Sequence, residues 1–380
     1  MIYLDNNATT QVAPEALDAM LPYLAVRYGN PSSAHSLGTE TRRAVDKARE
    51  QVAGLLGAAS TSEIVFTSCG TESDNWAILG GLQARPDKDH IITTRVEHEA
   101  VRRLVEQLAS SGFRVTWLDV DREGQLDLDQ LRDSLSAETA SVSIMLANNE
   151  TGVLFPVNEI AKIVKANSDA LFHVDGVNAA GKVPIHLSES KIDLFSISAH
   201  KFHGPKGIGA LYIRDGVELP SFLTGGGQER GRRAGTEAVH QIVGLGAAAE
   251  FASDLSKMDA VRGLRDRLER SILDQMPNAH LNGTSDPKKR LPNTSNISFE
   301  NTNGEMILAR LNDLGVCVST GSACNAADHV ASPVLAAMDI PYSFAMGSIR
   351  FSLGRFNTET EVEFLIEKLP EIVQQLNSPK

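Results

Sequence analysis

Two stretches, Leu171-Phe172-His173-Val174-Asp175-Gly176-Val177-Asn178 and Asp193-Leu194-Phe195-Ser196-Ile197-Ser198-Ala199-His200-Lys201-Phe202-His203-Gly204, decide the reading of the fold. Each opens on a short apolar run and closes on polar residues with glycine, the pattern of a buried strand handing over to a loop. In open α/β sheets, ligands bind where such strands end. An aspartate in a turn is ordinary by itself, and a single lysine is usually a surface charge. Asp175 and Lys201 at the ends of successive strands are a different matter. Pyridoxal phosphate needs a lysine to condense with its aldehyde and a carboxylate to keep its pyridine nitrogen protonated as an electron sink.

Outward from this pair, β-rich runs alternate with helical patterns between about residues 38 and 215, as in a sheet with helical crossovers. The helix predicted over 39–56 places Ala44, Val45, Ala48, Val52, Leu55 and Leu56 on one face. Strands are expected at 64–67, 90–94, 114–118, 141–147, 171–174, 193–198 and 210–213, enough for one large, mostly parallel sheet. A glycine run at Gly225-Gly226-Gly227 and a helical pattern over 236–251 follow. A charged helix over 261–276 then reads as the entry to a smaller α/β domain with strands near 294–299 and 316–319. No internal repeat or low-complexity tract interrupts the chain.

A chain of 380 residues with 42% hydrophobic and 22% charged residues can bury a sizeable core in two domains. The net charge of −12, with basic residues dispersed, argues against nucleic acid as a partner. Three cysteines, Cys69, Cys317 and Cys324, make no disulfide framework, and their spacing suggests no metal site. No apolar run approaches the length of a membrane span and the first residues are not a signal sequence. The expectation is a cytoplasmic protein.

A phosphate site is legible independently. The strand at 64–67 runs into Ser68-Cys69-Gly70-Thr71-Glu72-Ser73 and a helical pattern, and free N–H groups at a helix start favour an anion. Thr71 could equally serve as an N-cap. Ser198 and His200 stand beside Lys201, within reach of a phosphate. His98, in Val96-Glu97-His98-Glu99, follows the strand at 90–94, where a structural or capping histidine is the plain alternative.

These residues carry a resemblance that runs nearly end to end. Tyr3 to Thr10, Gly29 to Ser33, Phe66 to Asp74, Asn148 to Gly152, Gly225 to Glu237 and Gly347 to Arg355 resemble the cysteine desulfurases of the nitrogen-fixation and iron–sulfur-assembly type. The resemblance implies an aspartate-aminotransferase-like α/β fold (pyridoxal-phosphate fold type I). A large seven-stranded domain would span 14–255, with a smaller domain from 1–13 and 256–380. It also implies pyridoxal 5'-phosphate as cofactor and removal of sulfur from L-cysteine to give L-alanine. By the same resemblance Lys201 binds the cofactor covalently, Asp175 pairs with the pyridine nitrogen, and His98 stacks on the ring and helps move protons. Gly70, Thr71, Ser198 and His200 would hold the phosphate. Thr236 would reach the phosphate of a neighbouring subunit in a homodimer. Asn149 and Arg350 would hold the substrate carboxylate, a role suited to a guanidinium fork.

Cys324 would accept the sulfur as a persulfide and pass it to an acceptor or iron–sulfur scaffold protein. It closes Ser319-Thr320-Gly321-Ser322-Ala323-Cys324, a small-residue segment that packs a side chain poorly, whereas Cys317 sits between two valines like a structural thiol. The chain departs from the family pattern in three places. Asn178 stands where the family usually has Gln, a side chain expected to bond the cofactor's phenolic oxygen. Ala199 replaces a glycine, and Asn325 to Asp328 replace a Ser/Gly-rich segment. A selenocysteine lyase or cysteine-sulfinate desulfinase would use the same fold with less need of Cys324. An aminotransferase is a third reading, against which the Cys324 segment argues.

Overall fold

A computed structural model describes residues 1–320 and 331–377. Cys324 and the Asn325 to Asp328 segment lie outside the described residues.

The seven strands of the main sheet are β1 (Ile64–Thr67), β2 (His90–Thr94), β3 (Arg114–Leu118), β4 (Thr139–Ser143), β5 (Leu171–Asp175), β6 (Leu194–Ser198) and β7 (Gly209–Ile213). Their spatial order is β1-β7-β6-β5-β4-β2-β3, parallel throughout except that β7 runs antiparallel to both its neighbours. The fold is the α/β sheet read from the sequence. All seven strands except the edge strand β3 are buried along their whole length, and most of their side chains are apolar or small. Polar exceptions on the central strands satisfy one another. His173 bonds Ser143 Oγ at 2.9 Å through Nδ1 and Ser196 Oγ at 2.8 Å through Nε2, tying β4, β5 and β6 together beneath the site.

The helix Ser36–Leu56 buries Val45, Ala48, Val52 and Leu56 on one stripe and ends at Gly57, whose φ of 57° suits a left-handed C-cap. Its neighbour Val239–Ala252 begins three residues later than the sequence pattern suggested, so Thr236 lies outside it. The charged helix starts earlier than expected, at Lys257 rather than residue 261.

A second hydrophobic cluster gathers Leu4 with Met258, Val261, Leu268, Phe299, Ile349, Phe351 and Leu365. It packs on a four-stranded antiparallel sheet of Ala279–Leu281, Thr294–Phe299, Ser319–Thr320 and Ser348–Ser352. The single strand expected at 316–319 is two. Val316–Cys317 pairs with Ile2–Tyr3, while Ser319–Thr320 pairs with Ser348–Ser352, so the chain changes sheets at Val318. Among the described residues no helix is long and apolar enough to cross a membrane.

Candidate active site

The C-terminal ends of β5 and β6 open into a cavity of about 290 Å³. Gly70, Thr71, His98, Asn149, Asp175, Asn178, Ser198, His200 and Lys201 all line it. Residues from five separate segments of the sequence reading are thus brought together. Asp175 is the last residue of β5 rather than the first beyond it, and its Oδ1 accepts the Val177 N–H at 2.9 Å. The turn can fold so tightly because residue 176 is glycine: a Cβ there would lie 1.9 Å from the Phe195 ring.

Lys201 follows β6 in a short 3-10 turn and donates to the carbonyls of Asn7 at 2.5 Å and Ala8 at 3.1 Å. Burial, reinforced by the Arg350 guanidinium, pulls its ammonium down to about 8. A lysine so placed has a substantial neutral, nucleophilic fraction near physiological pH. Condensation with an added aldehyde cofactor should therefore speed up about tenfold per pH unit below about 8 and level off above it. The rise of visible absorbance when apoprotein meets pyridoxal phosphate measures this, and a pH-independent rate would contradict it.

The helix Gly70–Gln83 begins at the cavity edge, and Cys69 at its N-cap supplies no side-chain oxygen to the free N–H groups. Ser198 Oγ, buried beside it, has no hydrogen-bond partner. An uncapped helix start with an unpartnered hydroxyl is an anion cradle, and it fits the phosphate of the cofactor. Across the cavity Asp175 is buried and its carboxyl is pushed above the usual range by desolvation, as expected of a carboxylate awaiting a cation such as a pyridinium. Asp74 stands next to it, buried, its Oδ1 3.5 Å from His173 Nε2. Its carboxyl is pushed well above the usual range, first by burial and then by the neighbouring Asp175. These groups fit pyridoxal phosphate at both its ends.

His98 caps the helix Glu99–Ser110, its Nδ1 accepting from Ala100 N at 3.1 Å. Capping and lining the cavity are both true of it. The bond leaves Nε2 as the protonated nitrogen of the neutral ring. The ring is accessible from the cavity, but the protein packed around it lowers its pKa. His200 Nδ1 meets Thr9 Oγ1 at 3.2 Å and is pushed down to about 4, mainly by burial, so it is neutral.

Two expected residues stand apart from the cavity lining. Arg350 donates to Asp5 Oδ1 at 2.7 Å and to the Asn149 carbonyl at 3.1 Å, with its Nε unpartnered. Thr236 is exposed and outside the cavity. Sequence reading missed Asp5, Asn7, Asp74 and Lys182. Asp5 and Asn7 lie in the run Tyr3 to Thr10, which was quoted for its resemblance but given no role. Asp74 follows Thr71 by one helical turn, and that spacing could have placed it on the same face.

The family model "Aminotransferase class-V" matches residues 2–365. The chain belongs to the class-V aminotransferases, among the cysteine desulfurases. It is 54% identical over 382 aligned residues to a protein of Trichormus azollae named cysteine desulfurase, spanning 100% of this chain and 94% of that one. It is 50% identical to "Cysteine desulfurase NifS" of Azotobacter vinelandii, over 99% and 94% of the two chains. A solved "NIFS-LIKE PROTEIN" superposes with a TM-score of 0.92 at 41% identity, covering 99% of this chain and 100% of that one. Another structure, "SspA in complex with cysteine", gives 0.82 at 34% identity, covering 94% and 100%. Class-V aminotransferases of this branch are pyridoxal-phosphate enzymes, in keeping with the cavity described above.

Proposed function

We propose that this chain removes sulfur from L-cysteine with pyridoxal phosphate held on Lys201, releases L-alanine and keeps the sulfur as a persulfide on Cys324. One observation carries the reading: a depressed lysine, a buried carboxylate and an uncapped helix start share one cavity of cofactor size. The cofactor supplies the electron sink that stabilises negative charge on the substrate α-carbon. Asp175 keeps that sink cationic. Gly70, Thr71, Ser198 and His200 would hold the phosphate, and Asn178 would bond the phenolic oxygen. Lys201 would be the base at the α-carbon, and His98, with its proton on Nε2, would pass a proton at the sulfur side. Asn149 and Arg350 take the substrate carboxylate, Arg350 trading its contact with Asp5 for the new one. The Cys324 thiolate attacks the substrate sulfur, so that an S–S bond forms as the C–S bond breaks and its electron pair returns to carbon.

Purified holoprotein given cysteine and a reductant should release sulfide and alanine in equal amounts. Selenocysteine lyase or sulfinate desulfinase activity without cysteine turnover would overturn the reading.

The reading extends to a homodimer with shared sites. On the helix Pro14–Ala25 the apolar side chains Leu17, Leu21 and Leu24 are exposed at helical spacing, a stripe suited to a second copy. Thr236, exposed after the Gly225 to Gly235 segment, would complete the partner's phosphate site. Mixed dimers of Thr236→Ala and Lys201→Ala subunits test this. Each heterodimer places both defects at one site and leaves the other intact, so about half the dimers should regain a tight cofactor site, read by cofactor titration. No gain over the parent homodimers would overturn shared sites. A division into 14–255 and 1–13 with 256–380, a cytoplasmic location and delivery of sulfur to an acceptor or iron–sulfur scaffold protein complete the proposal.

A further inference from the structure

Lys182 is a buried lysine that none of these roles uses. It is 7% exposed, and it has no ion-pair partner among the described residues. Its Nζ donates to two amide oxygens instead, Asn178 Oδ1 at 2.8 Å and Asn7 Oδ1 at 3.1 Å. A buried cation without a carboxylate is costly, and burial together with the Lys201 and Arg350 charges drives its pKa well down. A neutral amine still has two hydrogens, one for each amide oxygen.

These two bonds set the side chains on either side of the site. An Asn amide can turn either way at similar cost, but a donor on one face fixes its oxygen there and its NH2 on the other. With Oδ1 held by Lys182, Asn178 is left with Nδ2 as its free group. That atom is buried and has no partner, although Asn178 lines the cavity. Asn7 is held the same way: its Oδ1 also accepts from Asn293 Nδ2 at 3.0 Å, and its Nδ2 donates to Thr294 Oγ1 at 2.8 Å and to the Asn149 carbonyl at 3.2 Å.

We propose that Lys182 is a positioning residue that orients the Asn178 amide, so that its NH2 is the donor presented to the cofactor's phenolic oxygen, and links that setting through Asn7 to the Asn149 side of the site. The shorter Asn at 178 can serve because its orientation is fixed from behind. This rests on the reading of Lys201 and Asn178 as cofactor residues.

The consequence is electronic. A donor to the phenolic oxygen stabilises its negative charge and so weakens the hold on the proton of the adjacent Lys201–cofactor nitrogen. Without the donor that proton is held to higher pH. The test is the pH midpoint of the visible absorbance of holoenzyme in four forms: wild type, Lys182→Met, Asn178→Ala and the double variant. Lys182→Met should raise the midpoint by about half a unit to one unit, and by next to nothing when Asn178 is already alanine. An equal rise in both backgrounds would mean that Lys182 acts by its own charge, and no rise would mean that it does not act. Either result overturns the proposal while the cofactor reading stands. If the wild-type band is absent, or its pH midpoint survives unchanged in Lys201→Ala, both fall. Lys182→Leu, which removes the same donors with a different shape, serves if the Met variant does not fold.

Discussion

Replacing Cys324 with alanine should leave cysteine binding intact and lower alanine release by at least about a thousandfold, because the C–S bond breaks only when a thiolate accepts the sulfur. Mixing the variant with cysteine should still shift the visible spectrum of the bound cofactor, since that change involves Lys201 and the substrate amine. Cys317→Ala is the control. Cys317 sits in the short strand Val316–Cys317 beside Tyr3, is only half-buried, and should keep turnover within about twofold with a mild loss of stability. Cys69 borders the cavity and is the more demanding control, because a thiol near the phosphate cradle could be mistaken for the acceptor. If Cys69→Ala rather than Cys324→Ala abolishes alanine release, the sulfur acceptor has been misassigned.

Lys201→Ala should be the most damaging single change at the cavity. It removes both the covalent hold on the cofactor and the base at the substrate α-carbon, and a loss of at least about ten-thousandfold in turnover is expected. The protein should still bind pyridoxal phosphate through the helix start at Gly70 and through Asp175, but borohydride treatment should no longer fix it to the chain. In wild type the reduced cofactor should appear on the peptide that contains Lys201. Because the Lys201 amine donates to the Asn7 and Ala8 carbonyls, its loss should also loosen the N-terminal segment, seen as faster amide exchange around residues 5–10. Label found on Lys182, which bonds the cavity residue Asn178, would contradict the assignment.

Where sequence and structure part, the reasons are local. The ends of β5 and β6 were legible because each short, mostly apolar strand gives way to polar residues, Asp175 before Gly176 and Ser198 before His200 and Lys201. The strand expected over 141–147 ends at Ser143 instead, although Ile144, Met145, Leu146 and Ala147 are as apolar as what precedes them. Beyond Ser143 the backbone still bonds β5, Ile144 N to the His173 carbonyl and Leu146 N to the Asp175 carbonyl, while Met145 and Ala147 line the cavity. Apolar content reports burial, and burial beneath a cavity reads like burial in a sheet. The antiparallel direction of β7 was not legible, since nothing in Gly209–Ile213 differs from a parallel strand.

At the site, nine of the residues read from strand ends and motifs converge on the cavity, Arg350 and Thr236 do not, and the supporting residues did not announce themselves. Lys182 looks like any lysine in a Gly-Lys-Val loop, and Asn7 like one of two adjacent asparagines near the N-terminus. Their roles depend on contacts between residues up to 286 positions apart, as with Asn7 and Asn293, which no spacing rule foresees. Arg350, expected to hold the substrate carboxylate with a structural salt bridge as the plain alternative, is found paired with Asp5. The pairing follows from the bridge that lays residue 5 alongside Ser352, two positions from Arg350 on the same face of that strand.

The account stands on the fate of one sulfur atom. A single turnover of holoenzyme with cysteine, without reductant, should give one alanine per active site and one extra sulfur on the Cys324 peptide, removable by a thiol and detected by mass spectrometry. Pyruvate and ammonia in place of alanine, or alanine with the extra sulfur absent from Cys324, would contradict it.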